Sequence, residues 1–373
     1  MSHFIGLMSG TSLDGVDGVL LSMVGGAPRV VNACHLDMPT ALRHTLLALN
    51  TSGPDELHQA ALAANALAQL YAQAVHSLLR TAGLNPDQVS AIGAHGQTIR
   101  HQPGKPGQTA TPSTPWLAYT LQLNNPALLA ELTGITVVAD FRSRDVAAGG
   151  QGAPLVPAFH RAVFAEPGKH VAVANIGGMA NVTLISADGH TSGFDTGPGN
   201  VLMDLWAEQH LGQRYDAQGA WAASGQTSPP LLAAMQQDSF FQLSGPRSTG
   251  RDHFNPGWLQ DKLREHSQLS PADVQATLCE LSVWSIVRVL PAHTNTLVVC
   301  GGGVFNRALM TGLAQRLSTA SVVVSGTQGI PAMEVEAAAF AWLASQTLLG
   351  QSGNLTQVTG ATAPRILGAI YPA

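Results

Sequence analysis

Lysine is almost missing from this chain of 373 residues. Lys105, Lys169 and Lys262 are the only three, and the other fifteen basic residues are arginine. Most phosphate-binding motifs need a lysine directly after a glycine, and only Gly104-Lys105 and Gly168-Lys169 offer that pair. Neither is followed by Ser or Thr, and neither has a glycine five residues earlier, so no Walker-type loop exists. No GxGxxG follows a strand and opens a helix, which leaves a Rossmann dinucleotide site without support. Charge is scarce altogether: 11% of residues are charged and the net charge is −5. No basic field is present to attract nucleic acid. Cysteine is scarce too. Cys34, Cys279 and Cys300 lie far apart without CxxC spacing, which argues against a disulfide framework or zinc knuckle and suits a reducing, cytoplasmic setting. The 14 histidines show no metal-ligand spacing. No run of 18 apolar residues occurs, so no membrane span is expected. The apolar run at the N-terminus is too short for a signal segment and meets Asp14 and Asp17 at once.

What is present is apolar bulk. Hydrophobic residues make up 45% of the chain, enough for large cores, and the length points to two domains. Strands are expected at 3–8, 16–22 and 30–37, then a long helix over 55–82 with Asp55 as N-cap and Gly83 just past its end. A strand at 89–94 leads into His95-Gly96-Gln97-Thr98. Residues 101–115, rich in Pro, Gly and Thr, read as a surface loop. A helix (126–133), a strand (135–139), a flexible turn (149–154) and a helix (157–164) follow. Glu166-Pro167-Gly168 reads as a domain junction. The same plan then restarts: a strand at 171–176, a turn at 177–181, strands at 182–185 and 191–194, and a helix over 201–210 capped by Asn200. Residues 215–258 read as polar and irregular. A helix (271–290), a strand (297–300), a helix (307–317), a strand (322–324) and a helix (334–348) complete the chain. Two α/β domains of similar plan are expected, 1–168 and 169–349, with the segment from about 350 to 373 able to return to the first.

Four glycine turns follow apolar strands: Ser9 to Gly15, Gly177-Gly178-Met179, Asp195 to Asn200, and Gly301-Gly302-Gly303. Glycine lets backbone N–H groups approach a phosphate closely. Most such turns are merely turns. The segment Gly10 to Asp17 is less ordinary, because the hydroxyls of Ser9, Thr11 and Ser12 stand close to the carboxylates of Asp14 and Asp17. Without lysine, phosphate charge must be met by N–H dipoles, by an arginine, or by a metal ion. Mg²⁺ takes one or two carboxylates plus phosphate oxygens and keeps its waters. Asp14, Asp17 and Asp195 could serve it directly or through water.

The motifs jointly resemble one family. Met8-Ser9-Gly10-Thr11-Ser12-Leu13-Asp14-Gly15-Val16-Asp17, Ile92 to His101, Val138 to Arg142, Asn175 to Asn181, Phe194 to Asn200, Ser248 to Asp252 and Gly301 to Asn306 look, in order, like anhydro-N-acetylmuramic acid kinases. The family belongs to the sugar kinase, actin and heat-shock ATPase superfamily. The resemblance implies a ribonuclease H-like, actin-like fold, with two domains of related topology around a central ATP cleft. It implies a first phosphate loop at Gly10, Thr11, Ser12, Leu13, Asp14, Gly15, Val16 and Asp17. The second would be the turn carrying Asn175, Gly177 and Gly178, and the adenosine side Gly301, Gly302, Gly303 and Asn306. The implied reaction uses ATP and Mg²⁺ to open the 1,6-anhydro bridge of 1,6-anhydro-N-acetylmuramic acid and phosphorylate O6, in peptidoglycan recycling. A cytoplasmic homodimer is implied as well.

Asp195, at a strand end before a helix, suits a general base that takes a proton from the attacking water; the bland alternative is a turn or cap carboxylate. Glu336 occupies the family's Glu position in Glu-Ala-x-Ala-Phe-Ala-Trp-Leu-Ala and could orient substrate or water, or simply complement a helix dipole. Met333 stands where the family often has an acid. His95, Gln97 and Thr98 suit sugar hydroxyl or N-acetyl recognition, Asp140 lies similarly after a strand, and Arg142 suits the lactyl carboxylate; ordinary loop hydrogen bonding is the alternative for all five. Arg251 reads equally as structural or catalytic. Two rival functions stay in view: a non-catalytic ATP-binding sensor of muropeptide fragments, against which the retained Asp195 argues, and a hexokinase-like enzyme acting on a free 6-hydroxyl.

Overall fold

A computed structural model describes residues 2–25, 27–104, 117–243 and 247–373. Most of the loop expected at 101–115 lies outside the described residues. The strands in chain order are β1 (Ser2–Met8), β2 (Gly15–Val24), β3 (Ala27–Asp37), β4 (Val89–Ala94), β5 (Gln97–Gln102), β6 (Tyr119–Leu123), β7 (Val137–Ala139), β8 (Val171–Ile176), β9 (Met179–Ile185), β10 (Thr191–Pro198), β11 (Thr296–Cys300), β12 (Ser321–Val324) and β13 (Ala369–Tyr371). The chain divides into two compact units, one of residues up to Val163 together with Glu334–Ala373, the other Phe164–Met333.

The first unit holds a sheet ordered β13-β7-β4-β1-β2-β3, the second a sheet ordered β10-β9-β8-β11-β12. Both contain the same arrangement. Three antiparallel strands come first in sequence (β1-β2-β3, β8-β9-β10), and two later strands add in parallel beside the first of them (β4 and β7, β11 and β12). This 3-2-1-4-5 order is the two-domain α/β plan of related topology expected from the sequence. β13 is an addition to the first unit, antiparallel to β7.

In the first unit the helix Glu56–Ala82 lays Leu67, Leu70, Tyr71, Ala74, Val75 and Leu78 onto the sheet, the i, i+3, i+4 face that its sequence periodicity predicts. Gly83, at φ 65°, ends it as expected. Asp55 makes no side-chain cap; Glu56 instead accepts from the Gly53 amide. The helix Val335–Leu348, read from sequence as the end of the second domain, belongs to the first unit. It is buried nearly all round and packs backbone to backbone on β1 and β4. A Cβ at Gly6 would fall on the carbonyl oxygen of Ala337, and one at Gly93 on that of Phe340. Two glycines on adjacent parallel strands and an alanine-rich helix thus make one close-packed joint. The C-terminal segment is tied down at Asp145, a buried carboxylate that accepts from Gly152 N (2.7 Å), Asn354 Nδ2 (2.6 Å) and Thr359 Oγ1 (2.7 Å).

Several elements differ from the sequence reading. Gln97-Thr98 opens a strand, β5, paired with β6. A helix, Thr40–Ala48, was not anticipated. The turn 177–181 is shorter than expected, since β9 already begins at Met179. The stretch 215–258 is largely helical, with helices at Ala220–Ser224, Pro229–Gln236, Ser239–Gln242 and Pro256–Leu263. They close over an aromatic cluster of Phe240, Phe241, Phe254 and Trp258. No helix among the described residues is long and apolar enough to cross a membrane.

Candidate functional site

The glycines sort themselves by what surrounds them. At Gly15 a Cβ would strike the His35 ring, at Gly303 the side chain of Ile176, and at Gly301, with φ 78°, the Asn175 side chain. Those three are needed for packing. At Gly10, Gly177, Gly178 and Gly302 a Cβ would meet nothing nearer than 3.5 Å. None of the described residues requires a glycine there, and open space beside a strand-end backbone is what an approaching ligand needs.

In the first unit the β1–β2 loop turns tightly. The Leu13 amide donates to Gly10 O (3.2 Å), and Leu13 sits at φ 55° with its side chain buried in the core, which holds the turn. Val16 is equally buried, so only backbone groups of these two residues are left for a ligand. The amides of Gly10, Thr11 and Ser12 find no acceptor among the described residues. Ser9, expected to add a donor, points inward: its hydroxyl meets Tyr71 OH (3.1 Å) and Gly96 O (3.3 Å). Ser12 Oγ donates to Asp14 Oδ1 (2.7 Å), and Asp17 Oδ1 is bonded to His35 Nδ1 (2.7 Å). Among the described residues neither carboxylate has a partner on its second oxygen. Asp17 also raises the acid pKa values of Glu334 and Glu336, in both of which burial is the larger cause. The neighbourhood is therefore electronegative and suited to a cation. Among the described residues no group of three His, Cys, Asp or Glu side chains could close on a metal. One or two carboxylates with phosphate oxygens is the mode that remains, and it is the mode Mg²⁺ prefers.

Behind this loop lies a buried polar chain. Gln97 Nε2 donates to Gly10 O (3.2 Å). Arg142 Nε donates to His95 Nε2 (3.0 Å) and its Nη1 to Gly152 O (2.7 Å). Burial pushes the His95 pKa well below its usual value, and Arg142 beside it pushes the same way, so the ring is neutral. Arg142 itself is brought down to about 10 by burial, against the opposing fields of Glu336 and Asp145. Two of the guanidinium nitrogens named for the lactyl carboxylate are thus already engaged inside the unit. Thr98 Oγ1 accepts from Gln122 Nε2 (3.3 Å). Asp140 is exposed and accepts from Ser143 Oγ (2.5 Å).

In the second unit the β8–β9 turn, the β10 end and the loop after β11 come together. Gly177 O accepts from the Asn200 amide (2.8 Å), and Asn200 Nδ2 donates to Ile176 O (3.2 Å). Asn200 is therefore a cross-brace between loops and not the side-chain cap expected of it. Asn306 caps the helix Arg307–Arg316 by accepting from Leu309 N (3.0 Å). Near Gly178 the closest side-chain atom is Arg251 Nη2. A cavity of about 300 Å³ opens beside Gly302 and Asn306 and is also lined by Asp204, Tyr215, Asp216 and Gln218. Burial pushes the Asp204 pKa up to about 6, with Arg251 opposing and Asp216 adding to the rise. Sequence reasoning missed this cavity because it read 215–258 as polar and irregular.

Asp195 lies at a break in register. β10 pairs Asp195 with Asn181 but Gly197 with Ala180, so Thr196 is an extra residue. Such a bulge re-aims the neighbouring side chains. The Asp195 carboxylate accepts from Thr249 N (2.9 Å) and Ser248 Oγ (3.2 Å), both on Oδ2. Burial raises its pKa, while these two donors and Arg247 hold it down. A half-buried carboxylate with one oxygen held and the other without a partner among the described residues has the form of a general base.

The profile of the anhydro-N-acetylmuramic acid kinase family matches residues 2–373. Anhydro-N-acetylmuramic acid kinases are similar to the chain throughout. That of Albidiferax ferrireducens is 53% identical, covering 99% of each chain. That of Bordetella avium is 54% identical over 99% of this chain and 96% of its own. That of Pseudomonas putida is 51% identical over the whole of both. The chain is an enzyme that belongs to the anhydro-N-acetylmuramic acid kinase family, the family its motifs resemble.

Proposed function

We propose that the enzyme uses ATP and water to convert 1,6-anhydro-N-acetylmuramic acid into N-acetylmuramic acid 6-phosphate and ADP. Asp195 takes a proton from water as its oxygen attacks C1. The C1–O6 bond breaks with its electron pair on O6, and O6 attacks the γ-phosphorus as ADP leaves. The backbone of Gly10 to Ser12 and of Gly177-Gly178 handles phosphates, and the loop Gly301 to Asn306 handles the adenosine. Arg251, beside Gly178, supplies the positive charge that lysine gives in other kinases. Asp14 and Asp17 would hold Mg²⁺, which would neutralise phosphate charge. Glu336, with His95, Gln97, Thr98, Asp140 and Arg142, belongs to the sugar side. Peptidoglycan recycling by a cytoplasmic homodimer is the setting this reaction implies.

The observation that carries this reading is the Asp195 carboxylate at the β10 bulge, held on one oxygen and open on the other. The test is Asp195→Asn in an ADP-release assay with the anhydro sugar. Turnover is expected to fall by about 10²–10⁴-fold with ATP binding retained. Near-normal turnover removes Asp195 as base. A preference for the ring-opened sugar as substrate overturns the anhydro specificity.

A further inference from the structure

The segment Arg247-Ser248-Thr249 does more around Asp195 than a passing loop would. The Asp195 amide donates to Arg247 O (3.0 Å), and Arg247 Nε donates back to Asp195 O (3.0 Å). The backbone of Asp195 is thus held in both directions by one residue more than fifty positions away. The next two residues hold the side chain: Ser248 Oγ and Thr249 N both donate to Oδ2, and Oδ1 has no hydrogen-bond partner among the described residues. Arg247 is anchored in turn. Its Nη1 donates to Leu243 O (2.6 Å), and its guanidinium carbon lies 5.1 Å from the Phe194 ring centroid and 5.4 Å from that of Phe240. β10 is the edge strand of its sheet, so among the described residues the outward backbone groups of Asp195 have no neighbouring strand to bond. Here four hydrogen bonds from one segment replace it.

We propose that Arg247-Ser248-Thr249 is a positioning clamp that fixes which oxygen of Asp195 meets the attacking water. The proposal rests on Asp195 being the general base. Arg247 fixes the backbone, Thr249 fixes Oδ2 through an amide that substitution does not remove, and Ser248 is the adjustable member. A hydroxyl that donates to a carboxylate favours its charged form. Arg247 is the charged group acting on Asp195, and Arg288 acts on Arg247. Neither is altered by a change at Ser248, so the effect of the hydroxyl can be read alone.

The experiment is the pH profile of kcat/KM for the wild type, Ser248→Ala, Ser248→Thr and Asp195→Asn. Removing the hydroxyl takes away an influence that lowers the Asp195 pKa. The acidic limb should therefore move to higher pH, by about half a unit to one unit, the scale of a single ordinary hydrogen bond open to water. Ser248→Thr retains the hydroxyl and should restore the wild-type limb. A Ser248→Ala limb that overlays the wild type while Asp195→Asn is inactive overturns the clamp and leaves the base in place. So does a Thr variant shifted as far as the Ala variant. An active Asp195→Asn overturns the base, and the clamp with it.

Discussion

The two units carry the same strand order, yet the turn after the first strand is dressed in opposite ways. In the first unit, the β1–β2 loop is long, rich in hydroxyls and acidic, with Asp14 on it and Asp17 just after it on β2, where it raises the pKa values of Glu334 and Glu336 that burial already lifts. In the second, the β8–β9 turn is two bare glycines with no charge of their own, and the nearest side-chain atom to Gly178 belongs to Arg251. Both offer backbone to a phosphate. They differ in what would balance the phosphate charge: a carboxylate loop cannot receive an anion without a cation, whereas an arginine beside a glycine turn can. A chain with three lysines can thus divide the work usually given to one lysine loop. On the proposed reading, one turn would borrow a metal's charge and the other would use guanidinium.

The largest effect should come from removing the metal side. Asp17→Asn keeps an oxygen that can accept from His35, so the fold is expected to hold. Its loss should fall on the metal, raising the Mg²⁺ concentration for half-maximal rate by about 10–100-fold, the range seen when a group supporting a metal site is lost. Titrating Mg²⁺ at saturating ATP measures this. An unchanged requirement would mean that the acidity of the first loop serves something other than a metal ion, and the comparison would fail on that side.

Arg251→Met should act on the other turn, with an effect of comparable size. Losing one charge-assisted hydrogen bond, about 1.5–3 kcal/mol, predicts a KM for ATP raised by about tenfold or more, with the Mg²⁺ requirement unchanged. Arg251→Lys should recover part of it. If Arg251→Met instead changes the Mg²⁺ requirement and leaves KM for ATP alone, charge is not divided between the turns as described.

How much of this could be read from residues alone depends on distance along the chain. The strands, the long helix ending at Gly83 and the repeat of the α/β plan are local patterns of burial and turn chemistry, and the sequence carried them plainly. The clustered residues of the first loop were legible for the same reason. The place of the helix Val335–Leu348 was not, because it depends on Gly6 and Gly93, which read as unremarkable strand residues until Ala337 and Phe340 lie against them. Asn200 had the right chemistry for a cap, but the neighbouring Ile176 carbonyl took its side chain. The stretch 215–258 lacked an amphipathic period because its short helices bury aromatic residues from several directions at once. The partners of Asp195 were invisible for the most general reason: hydrogen bonds across more than fifty residues leave no local pattern.

The smallest expected effect sharpens the comparison most, since it separates glycines kept for a ligand from glycines kept for the fold. At Gly10 a new Cβ would meet only Ser12 Oγ, at 3.5 Å, an ordinary contact, and the backbone there is not left-handed. Gly10→Ala should therefore leave thermal stability within about 0.5 kcal/mol of wild type, while raising KM for ATP a few-fold, because the methyl group occupies space on the ligand side. Gly93→Ala is the matched control in the same unit. Its methyl group would strike the Phe340 carbonyl, a buried backbone atom that cannot move aside, so it should lower stability by about 1–3 kcal/mol, the usual cost of overpacking. Thermal melts and ATP titrations of the two variants read both quantities. A destabilised Gly10→Ala with normal KM would show that Gly10 serves the turn itself, and the open space beside it would no longer mark a phosphate.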